Sequence, residues 1–170
     1  MAKIDNEHQV FIQLTENHDY MNFVKEFAPE YRLQFKENLA TDEAFKNKKI
    51  VSFVDWAFRM SEKEYYLTPF PLDDSVFSLT NKVFGSMVNF RYCTTLTEAT
   101  KKILKVYKEA IEIVQLHSKF KGSGSKIIKE FIKLSMEIQL PLVLYTETES
   151  LMKYYEQYNF KNYGQQGNRN

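Results

Sequence analysis

The chain has 170 residues, of which 44% are apolar and 15% aromatic, too apolar for a disordered protein and enough to bury a sizeable core. Lys plus Arg number 23 against 22 Asp plus Glu, a balance that argues against a general nucleic-acid binder, which carries a basic footprint. One cysteine, Cys93, cannot form an intramolecular disulfide and points to a reducing cytoplasm. The start "MAKIDNEHQV" lacks the apolar run of a signal peptide, and no apolar segment approaches the roughly 18 residues of a membrane span.

Gln9–Leu14 ("QVFIQL") alternates and predicts a first strand. "TENHDYMNFVKEF" predicts a helix capped by Thr15 or Asn17, with Tyr20, Phe23, Val24 and Phe27 on one face and Pro29 as its break. The pattern stays helical to about Glu62, with Phe45, Lys49, Phe53 and Trp56 at helical spacing. "YYLTPFPLDD", with Pro69, Pro71 and a pair of acids, reads as a loop. "SVFSL" and "VFGSMVNFRYC" flank "TNK" and predict a hairpin. A helix follows near Thr97–Lys108, with Thr97 as cap and Ile103, Val106 and Tyr107 as its apolar face. Ala110–Leu116 ("AIEIVQL") is a strand. "KIIKEFIKLSMEI" is an amphipathic helix with Ile127, Phe131, Leu134 and Ile138 in one stripe. Pro141 ends it, Leu142–Thr146 is a buried strand, "ESLMKYYEQYN" a short helix and "FKNY" a final strand.

Between the Ala110 strand and the amphipathic helix lies "KFKGSGSK" (Lys119–Lys126). Joints of such units are short and shaped, so a flexible linker is out of place there. Gly122 and Gly124 let the backbone turn tightly, and the N–H groups of the helix start then converge on one spot that attracts phosphate. Lys119, Lys121 and Lys126 add positive charge. An ordinary tight turn with solvated lysines is the competing reading. The P-loop spacing is absent, and Ile127 stands where a dinucleotide fingerprint needs a third glycine.

"KFKGSGSKII" followed by "LPLVLYTETESLMKYYEQYNF" resembles the GCN5-related N-acetyltransferase (GNAT) family. The family's Arg/Gln-x-x-Gly-x-Gly/Ala motif aligns with Lys119, Phe120, Lys121, Gly122, Ser123 and Gly124. Its Asn-x-x-Ala-x-x-Phe-Tyr-Glu-x-x-Gly-Phe pattern aligns with Thr148, Leu151, Tyr154, Tyr155, Glu156, Asn159 and Phe160. Lys119 replaces Arg or Gln, Thr148 replaces Asn, and Asn159 replaces Gly. The resemblance is specific over 110–163 and architectural upstream. It implies an α/β (α+β) fold, a mixed and mostly antiparallel central sheet flanked by helices, and one domain over 1–170. Within it, 1–95 would form the acceptor side, 96–109 an inserted helix, 110–163 the acetyl-CoA half and 164–170 a polar tail.

By that resemblance the donor is acetyl-CoA. Its pyrophosphate would lie on the N–H groups from Phe120 to Ser125, and its pantetheine arm along the strand edge at Val114, Gln115 and Leu116. One N–H there would polarise the thioester carbonyl. Thr148, Leu151 and Tyr154 fall at donor-contacting positions, and Tyr155 is the candidate general acid. An amine would attack directly, with Glu112 as candidate base and Glu109, His117 or a water chain as alternatives. Tyr31, Phe45, Trp56, Tyr65, Tyr66, Phe70, Asp73 and Asp74 are available to an acceptor pocket. Cys93 reads as a packed small residue. His8, His18 and His117 lie far apart in sequence, so no metal is expected. A homodimer is the commonest assembly for such a chain. A non-catalytic module of the same fold, sensing acyl-CoA or binding a protein, and a nucleotide-binding protein using the same loop are the other readings.

Overall fold

The computed structural model describes residues 6–41, 47–70, 73–146 and 148–164. In chain order these form α1 (Asn6–Glu16), α2 (His18–Thr41), α3 (Lys48–Lys63), β1 (Tyr65–Phe70), β2 (Asp73–Asn81), β3 (Ser86–Cys93), α4 (Glu98–Leu104), β4 (Ala110–Ser118), α5 (Ser123–Ile138), β5 (Leu142–Leu144) and α6 (Glu149–Glu156). The strands make one sheet in the order β1-β2-β3-β4-β5. All neighbours are antiparallel except β4 and β5, which run parallel through α5. The fold is therefore α+β, with a mixed and mostly antiparallel sheet flanked by helices, as expected. Phe45, Pro71, the side chain of Asp74 and the tail beyond Gly164 lie outside the described residues. None of the described helices is long and apolar enough to cross a membrane.

Packing explains the elements that the sequence pattern identifies. The stripe Ile127, Phe131, Leu134 and Ile138 is buried on one sheet face. There Phe131 meets Trp56 of α3 at 4.7 Å and Phe90 of β3 at 5.2 Å between ring centroids. Phe53 stands edge-on to Phe90 at 5.7 Å. Asn47 starts α3 by accepting from the amides of Lys49 and Ile50, and Thr97 starts α4 by accepting from that of Thr100. The hairpin of β2 and β3 pairs in register from Phe77–Phe90 to Thr80–Met87.

Several expectations fail, for physical reasons. Gln9–Leu14 is helix, not strand: His8, Phe11, Ile12 and Thr15 turn inward at helical spacing, and Val10 faces solvent. Pro29 lies inside α2 rather than ending it. It is exposed, so the carbonyl it strips of a partner meets water, while buried Val24, Ala28 and Phe35 hold the helix on both sides. Of the two caps expected for that helix, Asn17 serves, accepting from the Tyr20 amide at 3.1 Å. "YYLTPFPLDD" is mostly strand. Pro69 is tolerated because β1 is an edge, and the register slips there.

The apolar face assigned to α4 is too long. Lys105 turns into positive φ at 51°, and Val106 and Tyr107 are exposed. Finally, β5 has three half-buried residues rather than five buried ones, and 160–163 form no strand.

Phe131→Ala removes the ring on which α3, α5 and β3 converge. Urea unfolding should lose about 3–5 kcal/mol, the cost typical of truncating a fully buried Phe. A loss below about 1 kcal/mol would mean the three elements do not share one core.

Candidate functional site

The site begins where β4 outruns β5. Only Ile111, Glu112 and Ile113 pair with Leu142, Val143 and Leu144. On the other side β4 stays paired with β3 as far as Ser118. Val114–Leu116 therefore have no partner strand on the β5 side among the described residues, leaving backbone donors and acceptors open there. Register slips at the same point: Phe90 faces Ile113 but Asn89 faces Gln115, so Val114 is an extra, bulged residue. A side-chain row steadies the bulge, with Ser78 donating to Asn89 and Asn89 donating to Gln115 at 2.9 Å.

The glycine loop continues from this edge. The Lys119 amide donates to the Gly85 carbonyl at 2.8 Å. The Phe120 carbonyl accepts from the Ser118 hydroxyl at 2.8 Å, the Ser123 hydroxyl at 2.9 Å and the Ser123 amide at 3.2 Å. The two serine hydroxyl oxygens also lie against each other. Gly122, at φ +90°, is the residue before α5 and has no side chain to cap it. As a result the amides of Gly122, Gly124 and Ser125 find no acceptor among the described residues. Unpaired amides at the positive end of a helix dipole favour an anion.

The lysines are not equivalent. Lys126 pairs with Glu64 at 2.6 Å, and Lys119 lies 3.9 Å from Glu16 and over the Phe11 ring. Lys121 is exposed and has no ion pair among the described residues.

Helix α6 closes the far side. Thr148 caps it by accepting from the Leu151 amide at 3.3 Å. Leu151 is exposed. Asn159 adopts φ +67°, a left-handed conformation that Asn tolerates better than most residues.

The Tyr154 hydroxyl comes within 3.5 Å of the point a β-carbon on Gly124 would occupy, and a Leu116 methyl within 3.9 Å of it. Tyr154 thus stands at the junction of loop and strand edge. Burial and then hydrogen bonding with Tyr158 push its phenol up. Tyr158 in turn donates to Ser125 at 2.7 Å. Tyr155 is buried against Tyr154 and Phe160, and burial raises its phenol to about 12.

Each candidate base is already engaged. Arg91 and Asn89 alternate with the core residues Val88 and Phe90, so they face the opposite side of the sheet. There Arg91 Nε donates to the Glu112 carboxylate, directly across the β3–β4 ladder. Glu109 accepts from the Tyr92 hydroxyl at 2.8 Å and from Asn47 at 3.3 Å. His117 is buried, stacked on Phe11, with its Nδ1 3.3 Å from that of His8. That pairing was hidden in the sequence because His8 turns inward only if Gln9–Leu14 is helical. No group of three metal-ligating side chains occurs among the described residues. Cys93 is half-buried beside Glu112 at 3.6 Å, and burial raises its thiol to about 11.

Two cavities flank these elements. One of about 700 Å³ runs along β5 beside Ile103, Ile132, Met136 and Tyr155, and touches neither the loop nor β4. Another of about 350 Å³ lies between α2, α3 and the hairpin, lined by Tyr31, Phe35, Ile50, Phe53, Phe77 and Tyr92. Of the rings expected in an acceptor pocket, Tyr31 lines this second cavity, whereas Trp56 and Tyr65 are core. Tyr66 and Phe70 are half-buried, and Asp73 binds its neighbour Ser75.

No protein-family model matches the chain, and no curated protein matches it.

Tyr31, Tyr65 and Tyr155 are each raised to about 12 by burial, from the ordinary phenol value near 10. The native state therefore keeps protons that the unfolded chain releases. Stability from these groups is complete below about pH 10 and falls as pH rises to about 12. Absorbance at 295 nm should show a late-titrating set of phenols near pH 12, with unfolding made easier across the same window. Titration of every tyrosine near pH 10 in the folded protein would contradict this burial.

Proposed function

We propose that the protein is an acyl-CoA-binding N-acetyltransferase of GNAT type. The observation that carries the reading is the continuity of two open backbone features. The edge of β4 from Val114 to Leu116, which has no partner strand on the β5 side, leads toward the unpaired amides of Gly122, Gly124 and Ser125. An extended amide-bearing arm ending in a diphosphate is complementary to both. The pantetheine amides add to the β4 edge as a strand would, and the diphosphate accepts from the helix start. The bulge at Val114 interrupts the regular ladder, and an amide left free by it would suit the thioester oxygen. An amine then attacks the carbonyl carbon, the tetrahedral intermediate collapses, and CoA leaves as thiolate.

Two phenols serve the donor. Tyr154, at the loop–edge junction, contacts it. Tyr155, kept protonated at neutral pH by burial, would serve as hydrogen-bond donor to the departing thiolate; it lines the β5 cavity next to Tyr154. Its weak acidity makes hydrogen bonding, rather than complete early proton transfer, its main contribution. Glu112 would accept the amine's proton only by sharing itself with Arg91.

That engagement favours a second reading, in which the fold binds acyl-CoA without turnover. Calorimetric titration with acetyl-CoA should give a one-to-one isotherm that Gly124→Glu abolishes, because the carboxylate would occupy the anion's place. Absence of binding by the wild type refutes the proposal. Release of free thiol over a panel of amines separates the two readings: binding without release on every acceptor selects the non-catalytic one. Tyr155→Phe should lower kcat by about 100-fold, the scale of a positioned proton donor, with donor affinity intact. Tyr154→Phe should mainly weaken donor binding. The reverse pattern would move the thiolate contact to Tyr154.

A further inference from the structure

We propose that Phe120 is a stacking platform for the purine of the donor. This rests on the acyl-CoA reading above and identifies which part of the donor the loop recognises beyond its phosphates.

Phe120 sits at the centre of the turn between β4 and α5, and its backbone is clamped. Its carbonyl accepts from two serine hydroxyls and one amide, and the preceding amide is tied to Gly85. The side chain is wedged as well. A β-carbon on Gly85 would lie 2.4 Å from Phe120 Cδ2 and 2.5 Å from Cε2, so the ring edge occupies space that only glycine leaves. Despite this double restraint the ring is 58% exposed.

An unrestrained surface Phe would have to be ordered on binding, at an entropic cost. This one is already ordered. Because its edge rests on Gly85, a ring face is left toward solvent, the surface on which a flat π system stacks. The next residue, Lys121, supplies an exposed cation, and the partnerless amides of the helix start, those of Gly122, Gly124 and Ser125, follow it. Platform, cation and anion cradle follow one another in the order of a purine nucleotide and its phosphates. A phosphopantetheine arm without a nucleotide offers nothing to the ring.

The test uses the full chain and two ligands, CoA and 4′-phosphopantetheine, titrated calorimetrically into wild type, Phe120→Ala and Phe120→Tyr. Phe120→Ala should weaken CoA about tenfold, within the range of one base–aromatic stack, and leave 4′-phosphopantetheine unchanged. Phe120→Tyr, which keeps the ring, should retain wild-type affinity for both. Equal weakening of both ligands by Phe120→Ala means the residue only shapes the loop, and no weakening of either removes it from the site. Each outcome overturns the platform. If wild type binds 4′-phosphopantetheine as tightly as CoA, the platform fails while the phosphate-cradle reading stands. If wild type binds neither ligand, both fail.

Discussion

Three residue pairs hold β4 to β5, and the separation that follows is the constraint on which the site depends. Had β5 continued in parallel, its backbone would have consumed the donors and acceptors of Val114–Leu116, and the glycine loop would have ended a closed sheet. An unpaired edge is ordinarily a liability, because it invites another chain to pair. Here the exposed length is short. It is bounded by the bulge at Val114 on one side and by the Ser118–Ser123 clasp on the other.

The loop's rigidity comes from outside the loop. Gly85 contributes a carbonyl to Lys119 and an empty position to Phe120, so the β2–β3 turn acts as the base on which the glycine loop is shaped. The serines complete this by satisfying the Phe120 carbonyl three times over. These ties hold the backbone at the start of α5 while leaving its first amides without acceptors among the described residues. The opposite sheet face is built differently. Arg91 and Glu112 form a largely buried pair whose formation contributes little net stability, but loss of either partner would strand a charge.

How much of this was legible in the sequence depends on distance along the chain. The α5 stripe, the Thr97 cap, the β2–β3 hairpin and the loop between β4 and α5 are written in local spacing, and local spacing was enough. Pro29 and Pro69 misled because their cost is decided by tertiary context: solvent at one, a sheet edge at the other. The run Gln9–Leu14 is short enough to fit either period, and only the partner that buries Phe11 selects the helix. Within the site, contiguous residues were readable, whereas Gly85 beneath Phe120, Arg91 on Glu112 and His8 on His117 join segments that no motif links. The short length of β5 was equally invisible, because nothing in Leu142–Thr146 announces where pairing must stop.

The lone cysteine has a chemical consequence. With its thiol at about 11 and half-covered beside a carboxylate, Cys93 holds almost no thiolate at neutral pH, and thiolate is the species that reacts with disulfides and electrophiles. The protein is therefore nearly silent toward aromatic disulfide reagents. A coenzyme thiol liberated in its presence would be the dominant sulfur nucleophile in solution, and the protein itself would add little background colour.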